Sequence, residues 1–164
     1  MLRVVVRAAT PNDLEAILAI YNQGIEDRLA TLETAPKELE EMQTWYDDRD
    51  GRYAVVVASL AGAVVGWASL NRFTHRCAHA AIADLSVYVE RSHRGKGVGS
   101  ALLAYLEPLA RAGGFHKIVL HALERNAQGK ALYRKAGFGE VGVFKEHGAI
   151  DDHYVDVVAM EKLL

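Results

Sequence analysis

Cysteine is almost absent from this chain of 164 residues, since Cys77 is its only one. A single cysteine excludes an internal disulfide, and with it the class of small secreted proteins held together by disulfides. No apolar run approaches the roughly 18 residues of a membrane span, and residues 1–7 do not have the pattern of a signal peptide. We therefore expect a cytoplasmic protein that does not bind membranes.

A strong charge of either sign is also missing. Lys and Arg together number 19 and Asp and Glu number 21, which gives a net charge of −2. Nucleic-acid binding needs a clustered basic face, so this balance predicts no nucleic-acid partner. Hydrophobic residues make up 51% of the chain, and no linker rich in Pro, Gly or Ser interrupts it. These features predict one globular domain over residues 1–164.

The apolar pattern predicts a mixed order of strands and helices. Runs of β-branched residues are typical of strands, and apolar residues spaced three and four apart are typical of helices. The predicted order is strand, two helices, three strands, helix, strand, helix and two strands, which is an α/β fold with a mixed sheet. Strands are expected at residues 2–7, 53–60, 63–70, 80–89 and 115–121 and twice after Gly137; helices are expected from Thr10 to near Gly24, over 34–50, from 98 to Gly113, and over 126–135.

Three glycines, Gly95, Gly97 and Gly99, lie between a predicted strand and a predicted helix. Successive backbone N–H groups there can hold an anion at the positive end of the helix dipole. Arg94 and Lys96 add the positive charge that suits a pyrophosphate. The spacing matches neither the phosphate loop of ATPases nor the Rossmann fingerprint. The alternative is a tight strand-to-helix turn without a ligand.

Two motifs resemble those of the GCN5-related N-acetyltransferases. The run Arg94-Gly95-Lys96-Gly97-Val98-Gly99 matches the family's Arg/Gln-x-x-Gly-x-Gly/Ala signature, and Asn126 followed by Ala131-Leu132-Tyr133-Arg134-Lys135-Ala136-Gly137-Phe138 matches its second signature. The resemblance implies a GNAT-type α/β domain with a mixed, mostly antiparallel sheet flanked by helices. Within the family, Ile20-Tyr21-Asn22 and Ser86-Val87-Tyr88-Val89 are similar to phosphinothricin and methionine sulfoximine acetyltransferases, and residues 21–28 are similar to arsinothricin acetyltransferases.

Acetyl-CoA is the co-substrate that this resemblance implies. In such enzymes an amine attacks the thioester directly through a tetrahedral oxyanion, and a backbone N–H near Val89 polarises the carbonyl. Asn126 is implied as a further cofactor contact, and the alternative for it is an N-cap of the following helix. The pantetheine arm is expected beside Val87, Tyr88 and Val89, and the pyrophosphate is expected on Arg94, Gly95, Lys96, Gly97, Val98, Gly99 and Ser100.

Two candidate catalytic residues follow from the same resemblance. Asp84 stands where related enzymes carry a glutamate, and the period of the strand puts it on the side opposite Val87. It is expected to remove the ammonium proton, by way of a water since its arm is short, and the alternative is a hydrogen-bonded structural acid. Tyr133 matches the tyrosine that protonates the departing thiolate. Its alternative is a core side chain.

The acceptor pocket is expected at the end of the second hairpin strand and in the loop after it. Arginines can clamp the two anions of an amino acid or of a phosphinate or arsinate analogue. Arg72 and Arg76 form the available pair, with solvated loop arginines as the alternative. Thr74 occupies a position where some relatives carry arginine. Glu26 and Arg28, after the first helix, could close the pocket or form an exposed ion pair. The pocket residues are Arg72, Phe73, Thr74, His75, Arg76 and Glu26.

The predicted function is acetylation of the α-amine of a small amino acid or a toxic analogue, in detoxification or resistance. Acetylation of a protein N-terminus or polyamine is the alternative within the reaction class, and a non-catalytic acyl-CoA-binding sensor is the alternative outside it. No metal is expected, because neither the group around Cys77 nor the group at residues 147–153 has the spacing of a zinc site. The resemblance also implies a homodimer, with residues 155–160 as one surface for it.

Overall fold

The computed structural model describes residues 3–164, so Met1 and the start of the first predicted strand, Leu2, lie outside the described residues. Within this range seven strands and four α-helices follow one another in the predicted order. The strands are β1 (Val5–Ala8), β2 (Val55–Leu60), β3 (Ala63–Arg72), β4 (Ile82–Val89), β5 (Lys117–Leu123), β6 (Gly139–Ile150) and β7 (His153–Leu163), and the helices are α1 (Leu14–Asp27), α2 (Leu39–Asp47), α3 (Val98–Ala112) and α4 (Ala127–Lys135).

These strands form one sheet in the order β1-β2-β3-β4-β5-β7-β6. Neighbouring strands are antiparallel in every pair except β4 and β5. The parallel pair is joined by a crossover that contains α3, because parallel strands cannot be connected by a tight turn. The sheet is therefore mixed and mostly antiparallel, which confirms the predicted fold class.

Different helices cover the two faces of the sheet, since successive strand residues point to opposite sides. On one face Trp67 of β3 and Tyr88 of β4 pack with Ile17 of α1. On the other face Leu85 of β4 packs with Leu102 of α3. Ile17 and Leu102 are completely buried, and burying one such side chain contributes about 1.5–3 kcal/mol. None of the helices in residues 3–164 is long and apolar enough to cross a bilayer.

The first helix extends beyond the predicted end near Gly24. A 3-10 turn at Pro11–Asp13 precedes α1, and the helix then continues to Asp27. Gly24 is buried against the ring of Tyr88, where an added Cβ would lie 3.0 Å from a ring carbon. Gly24 therefore provides space for the packing of α1 on the sheet and does not end the helix.

The second helix begins at Leu39, later than the predicted start at Thr34. The segment before it is held to α1 by the side chain of Asn22. The Asn22 amide accepts a hydrogen bond from the N–H of Lys37 (2.8 Å) and donates one to the Lys37 carbonyl (3.1 Å). Because a distant side chain satisfies these backbone groups, the segment is an ordered loop in place of a first helical turn.

The apolar run at residues 155–160 is buried, so its predicted role as a surface for a second copy is wrong. Val157, Val158 and Met160 are at most 2% exposed, because β7 lies between β5 and β6. The exposed apolar side chains at this end of the sheet include Val141 and Phe144 of β6, at 62% and 46%. Within residues 3–164, β6 pairs with β7 alone, so its other edge is open.

Candidate active site

The parallel pair β4–β5 opens into a gap. Its register joins the strands only over Ile82 to Asp84, opposite Lys117 to Val119. Beyond that point the two strands are unpaired, and a cavity of about 300 Å³ lies between them, bounded by the start of α3 and by α4. We call it the gap cavity. Strand backbone groups that a continuous sheet would satisfy are available there for a ligand.

Val87 and Val89 turn their backbone N–H and C=O groups toward the gap cavity. The N–H of Glu90 donates to the Val65 carbonyl beside β3 (2.8 Å), so strand alternation directs the groups of Val89 and Val87 to the opposite side. Part of this edge is already used, because the Val89 carbonyl accepts a hydrogen bond from Arg94 Nε (3.1 Å). The remaining groups suit an extended ligand with amide bonds.

The glycine loop forms a backbone cradle where α3 begins. Gly95 and Gly97 have φ values of 72° and 86°, in the left-handed region that favours glycine. Gly99 faces α4 so closely that an added Cβ would lie 2.7 Å from Leu132 Cδ2. The first N–H groups of α3 therefore border the gap cavity without side chains in front of them. This geometry fits a pyrophosphate at a helix N-terminus.

The basic residues of this loop have different surroundings. Arg94 donates to the Asp27 carboxylate at the end of α1 (2.6 Å), and Arg91 donates to the same carboxylate (2.8 Å). Hydrogen bonds from Arg91, and also from Arg94, hold the pKa of Asp27 below its ordinary value, although burial acts in the opposite direction. Arg94 lines the gap cavity with its charge partly compensated. Lys96 is exposed and is not part of the cavity wall.

Asn126 and Tyr133 border the gap cavity from the α4 side. The Asn126 side chain accepts a hydrogen bond from the N–H of Gly129 (2.9 Å), so it caps α4. Burial, together with the negative charge of Asp84, raises the pKa of Tyr133 to about 12. The Tyr133 phenol is therefore protonated at neutral pH, and it can donate a proton into the cavity.

A second cavity, of about 550 Å³, lies between the sheet and the α1–α2 layer. We call it the helix-side cavity. Tyr88 lines both cavities, and its ring stacks on Trp67 with centroids 5.0 Å apart. The aromatic wall of the helix-side cavity consists of Tyr21, Trp45, Trp67 and Tyr88, and its charged side chains are Glu33, Lys37 and Glu41. Such a wall offers an apolar surface with a few polar groups at its edge, as small-molecule sites do.

Asp84 lies on the same sheet face as the helix-side cavity. It is directly opposite Asn71 of β3, and the Asn71 amide nitrogen is 3.5 Å from Asp84 Oδ2 and 3.0 Å from Ser86 Oγ. Burial raises the pKa of Asp84 to about 6, while the hydrogen bond from Asn71 lowers it. A carboxyl with this pKa is mostly ionised at pH 7 and can accept a proton from an ammonium.

The residues predicted for the acceptor pocket do not line either cavity. Arg72 follows Asn71 on β3, so its side chain lies on the opposite sheet face, where the guanidinium lies over the ring of Tyr53 (5.5 Å). In the loop after β3, Thr74 Oγ1 bonds to His79 Nδ1 (2.6 Å) and Phe73 packs on the same ring. His75 and Arg76 are exposed.

Glu26 also lies outside both cavity walls. Its carboxylate is exposed and forms an ion pair with Arg91 (3.2 Å), not with Arg28. Arg28 turns the other way and pairs with Asp151 (3.1 Å). Within residues 3–164, His, Cys, Asp and Glu side chains form no group of three or more that could hold a metal ion.

Residues that line the helix-side cavity, or that contact its wall, could not be identified from the sequence. Lys37 and Glu33 lie in the loop before α2 and form an ion pair (3.2 Å). Arg49, just after α2, donates to Asn71 Oδ1 (3.0 Å) and to the Leu70 carbonyl. These contacts join segments that are distant in sequence. One signal was available, because the alternation of β3 places Ser69 and Asn71 on one face and Arg72 on the other.

Comparison with known proteins identifies a family and several proteins that are similar to this chain. The model of the Acetyltransferase (GNAT) family matches residues 17–138. The chain is 35% identical over 158 residues to the L-methionine sulfoximine/L-methionine sulfone acetyltransferase of Pseudomonas aeruginosa, covering 95% of this chain and 92% of that protein.

Two solved structures are similar over nearly the whole chain. A phosphinothricin acetyltransferase from Sinorhizobium meliloti, in complex with AcCoA, has a TM-score of 0.93 and 31% identity, covering 98% of this chain and 88% of that one. A ribosomal-protein-alanine N-acetyltransferase from Brucella melitensis has a TM-score of 0.94 and 37% identity, covering 98% and 99%. The names of these three proteins specify different acceptors.

Proposed function

The chain belongs to the Acetyltransferase (GNAT) family, and we propose that it transfers the acetyl group of acetyl-CoA to the α-amine of a small amino acid or amino-acid analogue. The observation that carries this proposal is the arrangement of two cavities around one strand. The unpaired edge of β4 borders the gap cavity, and Ser86 and Tyr88 on one face of β4 border the helix-side cavity. Asp84 lies on that same face, two residues before Ser86. Two small substrates can therefore meet at this strand.

Acetyl-CoA supplies an acetyl thioester when it is bound, and the residues present in the gap cavity fit it. The backbone groups of Val87 and Val89 would bind the pantetheine amides, and the N–H of Val89 would polarise the thioester carbonyl. The cradle at Gly95, Gly97 and Gly99 would bind the pyrophosphate. Arg94 supports the cradle electrostatically while it remains bonded to Asp27.

Proton transfer is assigned to two side chains. Asp84 removes a proton from the acceptor ammonium, by way of a water because the aspartate arm is short. Its pKa of about 6 supports this role, since the carboxylate is ionised at neutral pH and still basic enough to accept a proton. Tyr133 holds its phenol proton at neutral pH and donates it to the leaving thiolate. The thiolate of a thiol of pKa about 8.5 can also leave unaided, so this second transfer contributes less to the rate than the first.

The helix-side cavity is proposed as the acceptor site. Its aromatic wall suits the carbon chain of an amino acid, and Lys37 at its edge supplies a cation for a carboxylate. We place phosphinothricin, methionine sulfoximine and arsinothricin among the candidate acceptors, and detoxification or resistance as the physiological role. Similarity to a methionine sulfoximine/methionine sulfone acetyltransferase supports this substrate class.

Release of free CoA, measured with a panel of acceptors, tests the proposal. The panel contains phosphinothricin, methionine sulfoximine, methionine sulfone, arsinothricin and the common amino acids. We expect turnover with at least one α-amino acid analogue, and mass spectrometry should find the acetyl group on its α-nitrogen. Tight acetyl-CoA binding without turnover of any amine would support a non-catalytic acyl-CoA-binding sensor and overturn the proposal.

Acetylation of a protein N-terminus is the second candidate. It is favoured by the 37% identity to the ribosomal-protein-alanine N-acetyltransferase of Brucella melitensis. A peptide that begins with alanine belongs in the same assay, with the N-terminally blocked peptide as its control. A higher kcat/KM for this peptide than for every free amino acid would select the second candidate over the first.

We also propose that two copies of the chain form a homodimer through the outer side of β6. Exposed Val141 and Phe144, next to an open strand edge, support this surface. Sedimentation equilibrium should give twice the mass of the 18.0 kDa chain. The substitution Phe144→Glu should shift the equilibrium to single chains. A wild-type protein that sediments as one chain at all concentrations would contradict the proposal.

A further inference from the structure

A chain of polar contacts leads from α2 to Asp84 through Asn71. The guanidinium of Arg49 donates to Asn71 Oδ1 (3.0 Å), and Ser69 Oγ donates to the same oxygen (3.0 Å). On the other side of this amide, Nδ2 donates to Ser86 Oγ (3.0 Å) and lies 3.5 Å from Asp84 Oδ2. Each polar atom of the Asn71 side chain therefore has a partner.

Arg49 determines which way the Asn71 amide faces. A guanidinium has only donors, so the amide oxygen must face Arg49 and the NH₂ group must face Asp84. Arg49 is itself held in place. Its Nε donates to the Tyr53 carbonyl (3.1 Å), and its guanidinium lies 4.5 Å from the centroid of the Trp45 ring. Within residues 3–164 no carboxylate lies within salt-bridge distance of Arg49. Its fixed contacts are therefore with carbonyl groups and with Asn71.

We infer that Asn71, oriented by Arg49, is a positioning residue that fixes the Asp84 carboxylate and favours its ionised form. The inference deepens the proposed function, since it rests on Asp84 as the base. Among the described residues, the groups whose pKa is raised by the charge of Asp84 are the phenols of Tyr88 on its own strand and of Tyr133 on α4. Both phenols are neutral at pH 7. The Asn71 amide is thus the donor that offsets the burial of Asp84.

The test is the pH profile of kcat/KM, together with a carbon-13 NMR titration of Asp84 in protein labelled at aspartate. We expect Asn71→Ala to move the acidic limb and the Asp84 titration upward by about half to one pH unit, the effect of losing one hydrogen bond to the charged form. Arg49→Met should move both in the same direction, because the amide is then free to flip. Ser86→Ala is the matched control, since it removes the other partner of Nδ2 and leaves the contact with Asp84.

The outcomes separate this inference from the proposed function. If Asp84→Asn abolishes the acidic limb while Asn71→Ala and Arg49→Met leave it unmoved, the positioning role is wrong and the base remains. If the limb survives in Asp84→Asn, the base assignment is wrong, and the NMR titration alone decides the inference. An upward shift of that titration in Asn71→Ala, absent in Ser86→Ala, supports it, and an unchanged titration overturns it. Acetyl-CoA affinity reports that each variant is folded.

Discussion

Replacing Asp84 by Asn should stabilise the protein and almost abolish its activity. In the fold the pKa of Asp84 is about 6, above the ordinary value of 3.8, because the carboxyl is buried. The folded state thus holds this proton at pH values where the unfolded chain has lost it. The contribution of Asp84 to the free energy of unfolding is therefore highest in acid, and it falls as the pH rises from about 4 to about 6.

The size of the effect follows from these two pKa values. The difference corresponds to at most about 3 kcal/mol above pH 7, and solvent contact with the carboxyl reduces the expected gain in Asp84→Asn to about 1–3 kcal/mol. Below about pH 4 the variant and the wild type should be equally stable, because Asp84 is protonated in both states. Loss of a general base should lower kcat by about 10²–10⁴.

Urea unfolding of the wild type and of Asp84→Asn at a series of pH values measures the first effect, and initial rates at pH 7.5 measure the second. Asp47→Asn is a suitable control, because Asp47 is exposed at the end of α2. A difference in unfolding free energy that does not change with pH would refute the argument from burial. A kcat within a few-fold of the wild type would refute the base assignment.

Three further predictions concern other parts of the site. Gly99→Ala places a Cβ 2.7 Å from Leu132 Cδ2, and overpacking of this size should raise the Kd of acetyl-CoA about tenfold in calorimetry; Gly139→Ala, with open space around it, should not. Tyr133→Phe should lower kcat about tenfold, less than a general acid usually contributes, at unchanged acetyl-CoA affinity; an unaltered kcat would exclude the phenol as a proton donor. Asn22→Ala removes two hydrogen bonds to Lys37 and should raise the acceptor KM about tenfold while the acetyl-CoA KM stays constant; a change in both would contradict a role confined to this loop.

The order of the elements could be predicted because each depends on local pattern. β-Branched alternation and helical spacing are properties of short segments, and the order of strands and helices along residues 3–164 confirms the prediction made from them. The errors concern helix boundaries, and they occur where contacts between residues distant in sequence determine the local structure. Gly24 lies inside α1 and does not end it, and its missing side chain is explained by the ring of Tyr88, far along the chain, which packs against it. The start of α2 is delayed because Asn22 binds the backbone of Lys37.

The two cavities also differ in how far the sequence could predict their residues. Most of the gap-cavity residues lie in two short segments, 87–100 and 126–135, and each of these segments carries a motif that could identify it. The helix-side cavity collects side chains from α1, the following loop, α2, β3 and β4, and no short segment contains them. The sequence predicted Arg72 as an acceptor-pocket residue because it is a cation near the end of the hairpin. Its neighbour Asn71 lies on the cavity side, and the pleat of β3 directs the two side chains to opposite faces.

The strand β4 explains why one short segment can serve two substrates. A strand has two independent sets of groups, the backbone edge and the side-chain faces, which are perpendicular to each other. The loss of pairing with β5 after Asp84 frees the edge at Val87 and Val89. The continued pairing with β3 keeps the face with Asp84 fixed against Asn71. The splay between β4 and β5 affects only the first of these two features. If it began later, the edge at Val87 would be closed by β5. The point of divergence from β5 therefore sets the proposed cofactor edge, and the pairing with β3 sets the position of Asp84.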